Sequence, residues 1–331
     1  MADYLFGSAN IRTLENAIIG RERIEKLLNT KTIDEAWSLL SDWGVNVLRN
    51  SEDGKPLREE TLLGILKGAY DRVSELAPDS EALRLWLYPY DCNNLKAAQK
   101  AFIRGIDPAS MLFDFGTACA SDVVKMVAAG NYEGLPANMQ AAATVAMDEY
   151  AKTKNPQVID LILDKACWRD MLDSAKASGE AFVIRLVQTR IDLLNAMMAL
   201  RILRMKSGEV GKVLFAEAFL EGGTLSHEGL SDCLTSGEEA LWAFLRYTSY
   251  ARFAQDFAKS DGALSTAEKL ADNFWMSLVL ENKFIPMGLE VMVAFLAAHE
   301  YEVKNLRILL SGKEAGIATA TIRERIRDSY V

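Results

Sequence analysis

The sequence predicts an all-α fold made of three similar helical units closed on one another, and three observations carry that expectation. An acid-x-x-Asn pattern occurs three times in the 331 residues, as Asp91-Cys92-Asn93-Asn94-Leu95-Lys96, Asp192-Leu193-Leu194-Asn195 and Glu302-Val303-Lys304-Asn305-Leu306-Arg307. Proline is scarce, seven residues with none between Pro156 and Pro286, which leaves room for long helices. No stretch pairs period-two alternation with a Gly-Asn type hairpin turn, so strands are not expected.

The first unit spans 58–155. Tyr70 stands upstream of its asparagine, Ser80 is placed to cap a helix entering at Glu81, and Pro78 and Pro89 limit what can continue. The Asp91–Lys96 segment follows, then Gly116-Thr117-Ala118 with Asp122 beyond it; Pro108, Pro136 and Pro156 mark turns. The second unit spans 156–264, with Trp168 upstream. Ile184, Val187, Ile191, Leu194 and Met198 follow the 3-4-3-4 steps of a helix, and Arg185, Gln188, Asp192 and Asn195 run beside them, so Asp192 and Asn195 share a face. Gly223-Thr224-Leu225 and Asp232 repeat the order of the first unit.

The third unit, with Trp275 upstream, has too few residues after Asn305 to be completed. Its missing half lies at the other end, where Ile33-Asp34-Glu35-Ala36-Trp37-Ser38-Leu39-Leu40 echoes Gly237-Glu238-Glu239-Ala240-Leu241-Trp242-Ala243-Phe244-Leu245. The third unit is therefore 265–331 plus 1–57. A linear solenoid ends in atypical capping repeats, whereas a repeat split between the termini brings the ends together and closes the units around an axis. The expected body has pseudo-three-fold symmetry.

Half of the residues are apolar, enough for a substantial core. The net charge of −9 argues against a nucleic-acid-binding body and against broad adhesion to anionic lipid. A local basic stretch, Lys304, Arg307, Lys313, Arg323, Arg325 and Arg327, is either a docking face, with Lys313, Arg323 and Arg325 as its core, or a solvated helix surface. No uncharged run reaches the roughly 18 residues of a membrane span; the apolar stretch Phe284 to Ala298 contains Pro286 and Glu290 and reads as a buried helix. Met1-Ala2-Asp3-Tyr4 opens no secretory signal, and the scattered Cys92, Cys119, Cys167 and Cys233 read as reduced thiols.

Catalytic patterns are missing. His227 and His299 stand in no metal-binding spacing. Gly208-Glu209-Val210-Gly211-Lys212-Val213 and Ser311-Gly312-Lys313-Glu314 lack the glycine spacing of a phosphate cradle, and Ser226 beside His227 has no nucleophile elbow around it. Asp122, Asp148 and Asp164 are single acids rather than a magnesium-diphosphate cluster. No catalytic, cofactor-binding or metal-ligating residue is assigned. Asparagine has mediocre helix propensity, so its three recurrences imply a local demand. Two readings stand: the side chains satisfy polar groups where helices join, or they line a central opening and touch a partner.

Tyr90-Asp91-Cys92-Asn93-Asn94-Leu95-Lys96, the block Glu302 to Lys313, Ile322-Arg323-Glu324-Arg325 and the opening Ala9-Asn10-Ile11-Arg12-Thr13-Leu14-Glu15 together resemble the C subunit of prokaryotic V/A-type ATPases, a relative of the d subunit of eukaryotic vacuolar ATPases. The middle copy, with Asn195-Ala196-Met197 in place of Asn-Leu-Lys, departs from that pattern. The resemblance spans nearly the whole chain. It implies a funnel of three helical units on the cytoplasmic side of a membrane complex. The wide end accepts the shaft formed by the D and F subunits, and the narrow end sits on the proteolipid ring. Torque then passes through without chemistry, and the choice between proton and sodium belongs to the ring. An all-α enzyme with a central cavity for a small anion is the alternative. An enzyme would gather unlike polar residues in one pocket, whereas a coupler repeats similar ones in every unit. A generic helical scaffold, the third option, would not need to split a repeat.

Overall fold

Helices form every extended element among residues 4–77, 81–206 and 208–331, the part of the chain that the computed structural model describes; the β pairing there is one isolated bridge, Arg49 to Pro56. The chain divides into two compact units, one drawn from Met1–Asp79 and Gln255–Val331, the other from Ser80–Ala254.

The first unit begins with α1 (Leu5–Leu14), α2 (Arg21–Leu28), α3 (Ile33–Asp42) and α4 (Arg58–Leu76). Thr32 caps α3, its hydroxyl accepting from Glu35 N, and Ala36, Trp37 and Leu40 turn one face of that helix inward.

The second unit holds α5 (Glu81–Arg84), α6 (Tyr88–Arg104), α7 (Ala120–Ala129), α8 (Ala137–Thr153), α9 (Gln157–Ser178), α10 (Ala181–Met205), α11 (Gly208–Ala218), α12 (His227–Ser236) and α13 (Glu238–Arg246). Pro89 does not limit a helix as expected. It sits in the first turn of α6, where a missing N–H leaves no bond unmade, and Pro136 and Pro156 stand at the N-caps of α8 and α9. The cap and breaker expected at Ser80 and Pro78 lie outside the described residues. Along α10, Val187 and Ile191 are buried with the apolar stripe, but so are Asp192 and Asn195, both at 0% exposure.

The sequence returns to the first unit through α14 (Ala251–Ala258), then α15 (Leu264–Leu280), α16 (Leu289–Glu314) and α17 (Thr319–Arg325). The apolar run read as a buried helix is one from Leu289, and every residue from Val291 to Ala298 is buried; Phe284, ahead of it, is exposed. No helix among the described residues is long and apolar enough to cross a membrane. Gly20 touches the last residue so closely that a Cβ would collide with the Val331 carbonyl, and Arg21 N donates to that same oxygen at 3.1 Å. Residues near both ends of the chain are thus bonded to each other inside one unit.

Candidate functional site

Three buried acid and asparagine pairs each fasten a non-helical segment to the helix that carries them. On α6, Asp91 Oδ1 accepts from Thr117 N at 2.9 Å and Ala118 N at 3.1 Å, and its Oδ2 accepts from Thr117 Oγ1 at 2.6 Å. One turn on, Asn94 makes a two-way bond with a single residue: Nδ2 donates to Phe113 O at 2.7 Å and Oδ1 accepts from Phe113 N at 2.9 Å. Burial pushes the Asp91 carboxyl above its ordinary value, against the Thr117 and Ala118 donors that favour its ionised form. At Gly116, φ +153° and the proximity of Asp91 Oδ1 leave no space for a Cβ.

On α10 the same device appears with one more donor. Asp192 Oδ2 accepts from Thr224 N at 2.8 Å, Thr224 Oγ1 at 2.6 Å and Tyr250 OH at 2.6 Å, while Oδ1 accepts from Leu225 N at 2.9 Å. Asn195 bonds Leu220 in both directions, donating to its carbonyl at 2.8 Å and accepting from its N–H at 2.9 Å. Gly223 approaches Asp192 as Gly116 approaches Asp91, with no room for a Cβ. Burial, and then the Asp192 carboxylate, push the Tyr250 phenol far above its ordinary range, so it stays a donor.

On α16 the partners come from the two ends of the chain. Glu302 Oε1 accepts from Ile19 N at 2.7 Å, and its Oε2 meets His299 Nδ1 at 2.5 Å. Asn305 again makes the two-way bond, donating to Arg327 O at 3.1 Å and accepting from Arg327 N at 2.8 Å. Each buried backbone donor or acceptor satisfied in this way avoids a desolvation cost of about 1–3 kcal/mol.

The third signature position differs among the copies. Lys96 Nζ donates to Asp164 on α9 at 2.7 Å; burial would lower its pKa, but the field of Cys92 and Asp164 outweighs this and raises it. Arg307 pairs with Glu59 on α4 at 2.9 Å. Burial alone would raise Glu59, but the hydrogen bonds from Arg58 and Arg307 hold it below its ordinary value. The middle copy has the apolar Met197 there, buried.

Tyr70, read as the upstream aromatic of the first copy, lies in the compact unit of α16 and donates to Glu300 at 3.1 Å. Trp275 stacks on Tyr301 with ring centroids 5.7 Å apart. Of the basic trio Lys313, Arg323 and Arg325, two are occupied by their own fold. Lys313 Nζ caps the end of α2 through Leu28 O and Thr30 O, and Arg323 pairs with Glu25 at 3.0 Å. Thr117 and Thr224 are visible in the sequence as landmarks that follow each glycine, though not as partners of the acids. Tyr250, His299 and Ile19 carry no such signal, since each lies outside any shared spacing.

The profile of the family described as ATP synthase (C/AC39) subunit matches residues 8–325. The chain is 23% identical to the C subunit of the A-type ATP synthase of Methanocaldococcus jannaschii over 98% of its own length and 86% of the relative's. It is 22% identical to the C subunit of the V-type sodium ATPase of Enterococcus hirae, over 97% of each chain, and 22% identical to the C subunit of the A-type ATP synthase of Haloferax volcanii, over 93% of each.

Proposed function

The chain belongs to the ATP synthase (C/AC39) subunit family, whose members are accessory, non-catalytic parts of rotary ATPases, and on that premise we propose that it is a central-stalk rotor component. In this reading it joins the rotating shaft of the D and F subunits to the proteolipid ring of the membrane sector, on the cytoplasmic side, and transmits torque for ion transport. The spans 58–155, 156–264 and 265–331 with 1–57 act as three related parts of one funnel.

The observation that carries the proposal is the full-length family match together with the buried framework that occupies the repeated residues. A part that carries torque has to resist shear between helix and loop. Paired acid and asparagine side chains, each holding backbone groups from two directions, supply that resistance where apolar contacts alone would slide. Because these side chains are spent on the fold itself, the recurrence has a mechanical reason and asks for no substrate.

The test is to tag the chain in its native cell, solubilise the membranes gently and identify what co-purifies in stoichiometric amounts. Shaft and proteolipid subunits are expected. A lone chain recovered from membranes shown to contain an intact ATPase would reject the proposal.

A further inference from the structure

A cavity of about 490 Å³ opens in the first unit between α15, α16 and α17, and four cations face it: Lys304, Arg307, Arg325 and Arg327. Three of the four have carboxylate partners and one has none among the described residues. Lys304 and Arg327 both bear on the same oxygen of Asp272, at 2.6 and 3.1 Å. Arg307 pairs with Glu59, which also meets Arg58, and Arg58 has Glu314 as a second partner. Arg325 has no carboxylate partner among the described residues and is exposed, and Glu268 is the one acid in the wall. This excess of positive charge stands out on a chain of net charge −9.

Beside the charged groups the wall holds two serines, Ser265 and Ser311, and an apolar side made of Ile308, Ile317 and the buried Ile322, with Gly312 packed against Ile322. A carboxylate alone would leave most of such a cavity unfilled. A guanidinium fork matches two oxygens of a phosphate group, and a small organic body attached to that phosphate would cover the isoleucines. We propose that this cavity binds a phosphate ester, with its oxygens on Arg325 and Arg327 and its organic part against Ile308 and Ile317. The phosphate comes either from a phospholipid headgroup or from a free organic phosphate.

The full chain is titrated by calorimetry with glycerol 3-phosphate, with acetate, and with vesicles of phosphatidylcholine with or without phosphatidylglycerol. Arg325→Gln removes the unpaired guanidinium without opening an ion pair, and Lys67→Gln removes an exposed charge outside the cavity. Glycerol 3-phosphate or the phosphatidylglycerol vesicles should bind while acetate does not, and Arg325→Gln should weaken binding about tenfold, the loss of roughly one charge-assisted pair, with Lys67→Gln close to the parent. Binding of glycerol 3-phosphate identifies the free ester as sufficient; binding of the vesicles alone identifies the lipid. The proposal is overturned if neither phosphate source binds, if acetate binds as well as the ester, or if Arg325→Gln and Lys67→Gln weaken binding equally.

Discussion

The knots that an acid and an asparagine tie on α10 and on α16 have different tasks. On α10, Asp192 and Asn195 fasten Leu220, Thr224 and Leu225, which follow in the same stretch of chain, and Tyr250 completes the acid's partners. On α16, Glu302 holds Ile19 near the start of the chain and Asn305 holds Arg327 near its end. A device that pins a local loop in one region therefore closes the chain on itself in another. The longer glutamate suits the change, because it reaches one backbone N–H and leaves its second oxygen to His299 rather than to a threonine.

If the two knots differ in this way, the one on α10 should be the most sensitive point in its unit. Asp192→Ala strands three buried or half-buried donors and a phenol, and should cost about 3–5 kcal/mol, read from denaturant unfolding of the isolated chain. A loss below about 1 kcal/mol would mean that the loop is held by packing alone.

Removing residues 327–331 tests the other knot. It deletes the Arg327 bonds to Asn305 and Asp272, the buried Tyr330 ring and the Val331 carbonyl that accepts from Arg21, and should cost about 2–4 kcal/mol. Hydrogen exchange should rise at Ile19 and along α2 while α10 stays protected. Equal loosening of both regions would contradict their separation.

Tyr250→Phe sharpens the contrast, because it removes only the donor that the other two copies lack. About 1–2 kcal/mol is expected by the same unfolding measurement, as the other Asp192 partners remain.

The smallest effect concerns pH. The Asp91 carboxyl is raised in the folded state by burial, so the native protein takes up that proton more readily than the unfolded chain. Its contribution to stability then grows as pH falls through the raised value and levels off below the ordinary 3.8. Melting temperatures of the parent and Asp91→Asn, compared between about pH 6 and pH 4, should shift in favour of the parent as the solution is acidified. A shift in favour of Asp91→Asn instead would show that Thr117 and Ala118 outweigh burial.

The helices are legible in the sequence, because a proline-free stretch from Pro156 to Pro286 with 3.6-residue periodicity admits little else. The acids and asparagines are legible by their recurrence, and Thr117 and Thr224 as landmarks after a glycine, though not as the acids' partners. What escapes is pairing at a distance. Tyr250 reaches Asp192 across 58 residues and Ile19 reaches Glu302 across 283, and no local spacing encodes such contacts. The basic residues are legible only in part for a related reason. Charge clustering along α16 and α17 is visible in one dimension, but whether Lys313 and Arg323 face solvent or their own fold depends on where α2 packs.

In the proposed role the chain carries torque and performs no chemistry, which is tested by stripping it from the intact complex in vesicles and adding it back. ATP hydrolysis should continue in its absence while ion transport stops, and the purified chain should restore transport in proportion to the amount bound. Transport that persists without the chain would contradict a role in carrying torque.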